Sequence, residues 1–145
     1  MRNTFTVNLL DLQPSQLYIS SQKLAKVLEI TDFSKPESLG PLPIKRLGGK
    51  TILTDGHTRA FAAFRSGLVC IRVFWDTDNL DWEAYQICVD WCMQEGIHTI
   101  ADFESRVVDS EAYEELWNKR CDIMHRKLEE ERRLGHRPSW DVTEE

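Results

Sequence analysis

Apolar and polar residues in the first part of the chain follow two spacings, which predict a strand and then a helix. Residues 4–12, TFTVNLLDL, alternate apolar and polar side chains, as in a strand with one buried face. Residues 20–30 repeat apolar side chains at helical spacing, and Ser20 or Ser21 stands where a helix is capped. Residues 31–43 are rich in Pro, Gly and Ser, which indicates a surface loop.

A hairpin, a helix and a strand are predicted after this loop. The segments PIKRL (43–47) and TILTD (51–55) flank Gly48 and Gly49, which favours a tight antiparallel hairpin. The Ala-rich segment TRAFAAFRS (58–66) predicts a helix that stops at Gly67. The run LVCIRVFWD (68–76) is β-branched and aromatic, so we expect a strand buried on one face or on both.

Only helices are predicted from Asn79 onward. Apolar side chains recur at helical spacing in residues 80–96, 99–108 and 110–134, and the tail from about 135 is expected to be flexible. The predicted fold class is therefore α+β: a small mixed β-sheet with helices packed on it, followed by an all-helical C-terminal extension. We divide the chain into a domain at 1–78 and an extension at 79–145.

Composition narrows the classes of protein that this chain can belong to. The four cysteines lie in apolar segments, and no apolar run approaches the roughly 18 residues that span a bilayer, so we expect a cytoplasmic protein without a membrane partner. The net charge of −6 argues against a protein that coats nucleic acid, so nucleic acid is not an expected partner. Six basic residues and one acidic residue lie within 41–75, and an anionic ligand is expected there.

The turn between the predicted hairpin and helix contains a run of mostly polar residues that could bind a ligand: Asp55, Gly56, His57, Thr58 and Arg59. A strand that turns sharply into a helix directs free backbone N–H groups at one point, where the helix dipole also favours an anion. The Thr58 hydroxyl and the Arg59 guanidinium could bind a phosphate, and His57 could act as an acid or a base. The same residues also fit an ordinary helix start capped by Asp55, with His57 and Arg59 at the surface.

The order of these elements and the motif together resemble the ParB and sulfiredoxin-like superfamily. The resemblance covers roughly residues 4–78 and is carried by LYISSQKLAKVLE (17–29) and by the run from Pro41 to Asp76. The turn is similar to the motif of the free serine kinases, one branch of this superfamily. The resemblance implies a small α+β fold of ParB/sulfiredoxin-like type in which the turn and the helix N-terminus hold nucleotide phosphates.

Site residues follow from this resemblance by position. Gly56, His57, Thr58 and Arg59 become phosphate contacts of a nucleotide such as ATP, ADP or CTP, with Lys45 or Arg72 balancing its charge. Asp55 and His57 become the catalytic candidates, with Asp55 orienting a substrate hydroxyl or a Mg²⁺ ion. Sulfiredoxins carry a Cys beside the motif Gly where this chain has Asp55, so repair of oxidised cysteine is not expected.

The resemblance leaves several functions open. The first hypothesis is a nucleotide-binding domain, which as an enzyme would be an ATP- or ADP-dependent kinase acting on a small, serine-like hydroxyl compound. The loop after the first strand has Gln16 and Tyr18 where the serine kinases have a glutamate. The alternative is a non-catalytic regulatory or chromosome-partition-associated binding module. A DNA-binding or nuclease-like role is a weaker alternative because the second half is acidic. The extension could cover the site or make a homodimer.

Cysteine spacing raises one further hypothesis. Cys88 and Cys92 are four positions apart on one predicted helix, and Cys121 and His125 are four apart on another. Facing helices could bring them together as a zinc site, although buried cysteines are commonly plain apolar residues. At the phosphate site itself, we expect no metal ion other than a Mg²⁺ bound to the nucleotide.

Overall fold

A four-stranded mixed sheet organises the N-terminal half of the protein, of which the computed structural model describes residues 3–135. Its strands are β1 (Phe5–Asn8), β3 (Leu42–Leu47), β4 (Lys50–Leu53) and β5 (Cys70–Trp75), in the order β1-β5-β3-β4. β5 is antiparallel to β1 and parallel to β3, while β3 and β4 are antiparallel. The predicted α+β class with a mixed sheet is therefore confirmed.

The hairpin between β3 and β4 forms where the sequence predicts it. Leu47 pairs with Lys50, so Gly48 and Gly49 alone make the turn, with φ values of 59° and 79°. A two-residue turn with positive φ at both positions matches the twist of the strands, and glycine adopts it without steric cost. At the edge of the sheet, Gln13 forms an isolated parallel bridge to Ile52 of β4.

Helix α1 (Ser21–Ile30) packs against helix α2 (His57–Arg65), which follows the hairpin. Ser20 caps α1 by accepting a hydrogen bond from the N–H of Lys23. It is one of the two serines that the sequence predicts as the cap. Three alanines and Phe61 of α2 are fully buried in the same hydrophobic cluster as Ile44 and Val73 of the sheet. Small side chains let the helix lie close to the strands, and this fixes the position of the α2 N-terminus.

β5 is buried on one face only. Ile71 and Val73 face the core, whereas Cys70 and Arg72 are exposed. Since side chains alternate along a strand, Arg72 of β5 and Lys45 of β3 lie on the sheet face opposite to α2.

The C-terminal half is mostly helical but contains one short strand. It consists of α3 (Trp82–Gln94), a 3₁₀ segment (Ile100–Ser105), β6 (Val107–Val108) and a long helix built from α4 (Ser110–Tyr113), a π-helical stretch (Glu114–Asn118) and α5 (Lys119–Arg133). β6 pairs in parallel with β2 (Ile19–Ser20). The prediction of an all-helical extension is wrong at this point, because a two-residue strand is too short to produce a periodic pattern.

The two halves share one hydrophobic core. Phe103 of the 3₁₀ segment packs edge-on against Phe61 of α2, with their ring centroids 6.0 Å apart. Trp117, Met124 and Leu128 of the long helix are buried in the same cluster as the sheet residues. The extension therefore forms part of the surroundings of the motif turn. The predicted flexible tail lies outside the described residues.

Candidate functional site

The turn between β4 and α2 depends on a glycine at position 56. Gly56 has φ 81° and ψ 25°, the left-handed conformation, and it directly precedes the first residue of α2. A Cβ atom at this position would come within 2.7 Å of Leu42 Cδ2 and 3.0 Å of Arg59 Nη2. Both the backbone angle and the close packing exclude a side chain here. The strand-to-helix turn is therefore as tight as the motif predicts.

No side chain caps the start of α2. The Oδ1 atom of Asp55 accepts a hydrogen bond from the N–H of Gly56 at 2.8 Å, outside the first helical turn. Among residues 3–135, no side chain accepts a hydrogen bond from the backbone amides of His57, Thr58 or Arg59. The interpretation of Asp55 as an ordinary helix cap is therefore wrong. These amides retain the capacity to bind an anion.

A cavity of about 360 Å³ adjoins this helix start, and three basic side chains line it. We call it the cationic cavity and define it by Lys23, Lys26, Thr58 and Arg59. Lys23 and Lys26 belong to α1, and the Nζ atom of Lys23 lies 5.1 Å from the centre of the Tyr113 ring. Asp55 is the only acidic residue among the described residues that line this cavity. Its electrostatics favour an anion.

The imidazole of His57 is buried behind the turn and is hydrogen-bonded to the backbone of Ser15. His57 is 4% exposed, and its Nε2 atom accepts a hydrogen bond from the N–H of Ser15 at 2.9 Å. This bond assigns the ring proton to Nδ1. Burial lowers the pKa of His57 to about 4, although the Asp55 carboxylate opposes this shift. The side chain is neutral near pH 7 and already has a partner, which is a poor arrangement for the acid or base role predicted from sequence.

A second, more polar cavity of about 510 Å³ lies on the other side of Asp55, where the sheet strands end. We call it the strand-end cavity, and Asp55, Arg59, Trp75, Asp76 and Tyr85 are among its lining residues. Asp76 is buried and accepts a hydrogen bond from the hydroxyl of Thr54 at 2.9 Å. Asp76 is thus a second carboxylate beside Asp55.

The long helix contributes to a third cavity of about 290 Å³, the helix-side cavity. Asp55, Asp81, Tyr85, Cys88, Trp117 and His125 are among the residues that line it. The hydroxyl of Tyr85 donates to the carbonyl oxygen of Thr54 at 3.0 Å, and burial raises its pKa to about 12. Asp55 therefore lies where three cavities meet, and residues of the extension line each of them.

Lys45 and Arg72 do not join this arrangement. Lys45 places its Nζ atom 5.0 Å from the centre of the Trp82 ring, and Arg72 projects from the exposed side of β5. Neither residue lines any of the three cavities around Asp55. Lys23 and Lys26 are the basic residues of α1 that line the cavity beside the turn, and the sequence analysis did not predict them. Their spacing of three on a predicted helix was the available signal.

The four residues of the zinc hypothesis do not form a common site. Cys92 donates its S–H to the carbonyl oxygen of Gln16 at 3.4 Å, whereas Cys88 belongs to the hydrophobic core cluster and Cys121 packs against that cluster. Throughout the described part of the chain, no group of three or more His, Cys, Asp or Glu residues is arranged to hold a metal ion. A Mg²⁺ ion at this site would therefore need additional ligands, such as nucleotide phosphates.

Comparisons with known proteins identify no family. No protein-family model matches the sequence, and no curated protein matches it. Among solved structures, the chain is similar to protein Atu1540 from Agrobacterium tumefaciens at 12% identity and a TM-score of 0.43. The match covers 68% of this chain and 51% of that one, so the chain spans about half the length of Atu1540. None of the helices within residues 3–135 is long and apolar enough to cross a membrane.

Proposed function

We propose that this chain is a ParB/sulfiredoxin-like domain that binds a nucleotide through its phosphates at the N-terminus of α2. One observation carries the proposal. Within the described part of the chain, the amides of His57, Thr58 and Arg59 lack side-chain acceptors, and they lie beside a cavity lined by Lys23, Lys26 and Arg59. Backbone amides and the helix dipole favour an anion, and basic side chains add charge-assisted hydrogen bonds.

The shape of the cationic cavity suits a nucleotide better than a free phosphate ion. Val27, Ile30 and Tyr113 add apolar surface to its walls, and Ile30 is 71% exposed. Apolar surface beside a phosphate site offers a place for a base or a ribose to pack. ATP, ADP and CTP all satisfy this chemistry.

A thermal-shift screen with ATP, ADP, CTP and GTP, each with and without Mg²⁺, tests nucleotide binding. We expect at least one nucleotide to raise the Tm of the wild-type protein, since a ligand that binds only the folded state stabilises it. Arg59→Ala should weaken binding by roughly tenfold to a hundredfold, the usual effect of losing a charge-assisted hydrogen bond.

Arg72→Ala is the matched control, because Arg72 is a basic residue of the same half of the chain on the opposite sheet face. It should leave the Tm shift unchanged. If no nucleotide raises the Tm, the binding proposal fails. A shift that survives Arg59→Ala but is lost in Arg72→Ala would move the site to the other face of the sheet.

Phosphoryl transfer to a small hydroxyl compound is the second candidate function, and the position of Asp76 favours it. Asp76 and Asp55 line the strand-end cavity together with Arg59, which also lines the cationic cavity. Phosphoryl transfer depends mainly on positioning and charge neutralisation, and a carboxylate can orient the attacking hydroxyl. In this scheme Asp55 lies between the bound phosphates and the acceptor.

An assay of ADP release from ATP distinguishes a kinase from a non-catalytic regulatory or partition-associated module. The release is measured with and without serine as the acceptor. For a kinase, we expect ADP release that depends on serine and that falls in Asp55→Asn. The Tm shift caused by the nucleotide should be retained in this variant. Asp122→Asn, an exposed position on α5, should behave as wild type. Nucleotide binding without any release in the presence of serine or other small hydroxyl compounds would favour the module.

A further inference from the structure

A buried carboxylate with only neutral partners lies in the strand-end cavity. Asp76 is 6% exposed, and among residues 3–135 it is the only Asp or Glu that is buried. Its Oδ2 atom accepts a hydrogen bond from the Thr54 hydroxyl, and its Oδ1 atom accepts one from the N–H of Asp78, both at 2.9 Å. No Lys, Arg or His of the described chain forms an ion pair with it. Because buried carboxylates are normally paired with a cation, this one favours a ligand that brings positive charge.

The charges that line the strand-end cavity are predominantly negative. Asp55 and Asp78 are exposed and line it together with Asp76, whereas Arg59 is the only basic residue among the described residues that do so. The Nη1 atom of Arg59 donates to the carbonyl oxygen of Leu39 at 3.5 Å, and within residues 3–135 it forms no ion pair with the three carboxylates. A carboxylate has about four acceptor positions, and the two neutral donors of Asp76 use only two of them. The cavity can therefore accept further hydrogen bonds from a cation.

Aromatic side chains also line this cavity, and they favour an organic cation over a metal ion. Trp75 is 47% exposed, and its ring lies against that of Phe5 with the centroids 5.6 Å apart. Phe74 and Tyr85 are further lining residues, and the hydroxyl of Tyr85 is bonded to the Thr54 carbonyl oxygen. Aromatic faces attract organic cations, whereas hard metal ions require a shell of oxygen ligands. In the described part of the chain, no three His, Cys, Asp or Glu residues are arranged to provide such a shell.

We propose that the strand-end cavity binds the primary ammonium group of a small organic amine. The ammonium donates hydrogen bonds to Asp76 and Asp55, and the carbon chain of the amine packs against Trp75. A primary ammonium has three N–H donors and a quaternary ammonium has none, so the carboxylates favour the primary amine. The cavity volume of about 510 Å³ is within the range of small-molecule sites. Amine binding does not depend on a nucleotide, for which the cationic cavity is proposed.

An NMR titration of the isotope-labelled protein with butylamine, at constant ionic strength and without nucleotide, tests this proposal. We expect saturable chemical-shift changes at the Trp75 indole N–H and at the amides of Asp76 and Asp78, because the Asp78 N–H is bonded to the Asp76 carboxylate. Its neutral isostere n-butanol and the cation tetramethylammonium, which has no N–H donor, should each bind at least about tenfold more weakly. A negative nucleotide screen leaves these expectations unchanged, so the two proposals can fail separately.

Asp76→Asn should weaken butylamine binding by roughly tenfold to a hundredfold, because it removes the charge and keeps the shape of the side chain. Asp122→Asn is the matched control, since Asp122 is an exposed carboxylate of α5 that does not line the cavity. It should bind butylamine as the wild type does. If the buried Asp76→Asn variant does not fold, Trp75→Leu at an exposed position provides the test, with a roughly twofold to fivefold loss of affinity.

Three results would overturn the proposal. The first is the absence of changes at Trp75, Asp76 and Asp78 with butylamine at tens of millimolar. The second is a set of changes that spreads over the acidic surface of α3 and α5, because the amine would then respond to overall charge. The third is Mg²⁺ causing the same changes as butylamine at lower concentration, which would make the cavity a metal site.

Discussion

The two sides of Asp55 differ in charge and in the part of the chain that builds them. The cationic cavity is formed mainly by α1 and α2 and brings together three basic side chains. The helix-side cavity is formed largely by α3 and α5 and contains Asp55, Asp81 and His125, with no Lys or Arg among the described residues that line it. Asp55 itself borders both. This contrast favours the cationic cavity for the proposed anion and leaves an acidic, smaller space on the other side of the turn.

The contrast reflects a charge asymmetry that is already present along the chain. Residues 1–80 carry ten basic and seven acidic side chains, whereas residues 81–145 carry eight and seventeen. The fold places these two halves against each other at the motif turn. A ligand with an anionic end and a neutral or cationic end would therefore meet matching charge on both sides of Asp55.

The largest expected effect comes from removing the tight turn that separates the two sides. Gly56→Ala places a methyl group within 2.7 Å of Leu42 Cδ2 and in a left-handed conformation. We expect a loss of roughly 2 to 5 kcal/mol in the free energy of unfolding, from backbone strain and overpacking together. Urea denaturation measures this loss.

Gly67→Ala is the matched control for this substitution. Gly67 also has a positive φ of 94°, but a Cβ atom there would meet no atom of residues 3–135 within 4 Å. It should cost only the backbone strain of about 1–2 kcal/mol. Equal losses in the two variants would show that close packing at Gly56 contributes nothing.

The buried His57 predicts the next largest effect, a dependence of stability on pH. The imidazole pKa is lowered from 6.5 to about 4 in the folded protein, so the unfolded chain binds a proton at higher pH than the folded one. The contribution of neutral His57 to the free energy of unfolding is fully present above pH 6.5. It falls by about 3 kcal/mol as the pH drops to 4. Urea denaturation at a series of pH values measures this fall.

His57→Gln removes this titration and should flatten the curve between pH 6.5 and 4.5. The carboxylates with lowered pKa values, such as Asp81 and Glu95, release their contribution only at lower pH. A wild-type curve that is already flat in this window would contradict the buried, neutral His57.

A smaller effect is expected from the lysines of the cationic cavity. Lys23→Ala and Lys26→Ala should each weaken nucleotide binding by roughly tenfold, because each removes one positive charge from the phosphate side. Isothermal titration calorimetry measures the change, with Lys45→Ala as the control from the opposite sheet face. Equal weakening by all three variants would mean that only the overall charge matters.

The smallest effect is expected on the acidic side. Arg132 forms ion pairs with Asp81 and Glu83 and ties the end of α5 to the start of α3. These side chains are partly exposed, so Arg132→Ala should cost less than about 1 kcal/mol. Arg133→Ala, which breaks a more exposed pair with Glu130, should cost less still. A reversed order in thermal denaturation would show that the contact between α3 and α5 does not depend on Arg132.

The sequence predicts the local elements well and the long-range contacts poorly. The hairpin at Gly48 and Gly49 and the start of α2 at Gly56 follow from residues that determine their own backbone conformation. β6 depends on its pairing with β2, which is distant in the chain, and no local pattern encodes it. The role of His57 shows the same limit, because its burial depends on Ser15 and Phe103.

NMR titration with ATP tests the central claim most directly, because it reports on the backbone amides of α2 individually. We expect the largest chemical-shift changes to fall on the amides of His57, Thr58 and Arg59, and to require at least about tenfold more ATP in Arg59→Ala but not in Arg72→Ala. Changes centred on β3 and β5 around Lys45 and Arg72, or no changes at millimolar ATP, would contradict it.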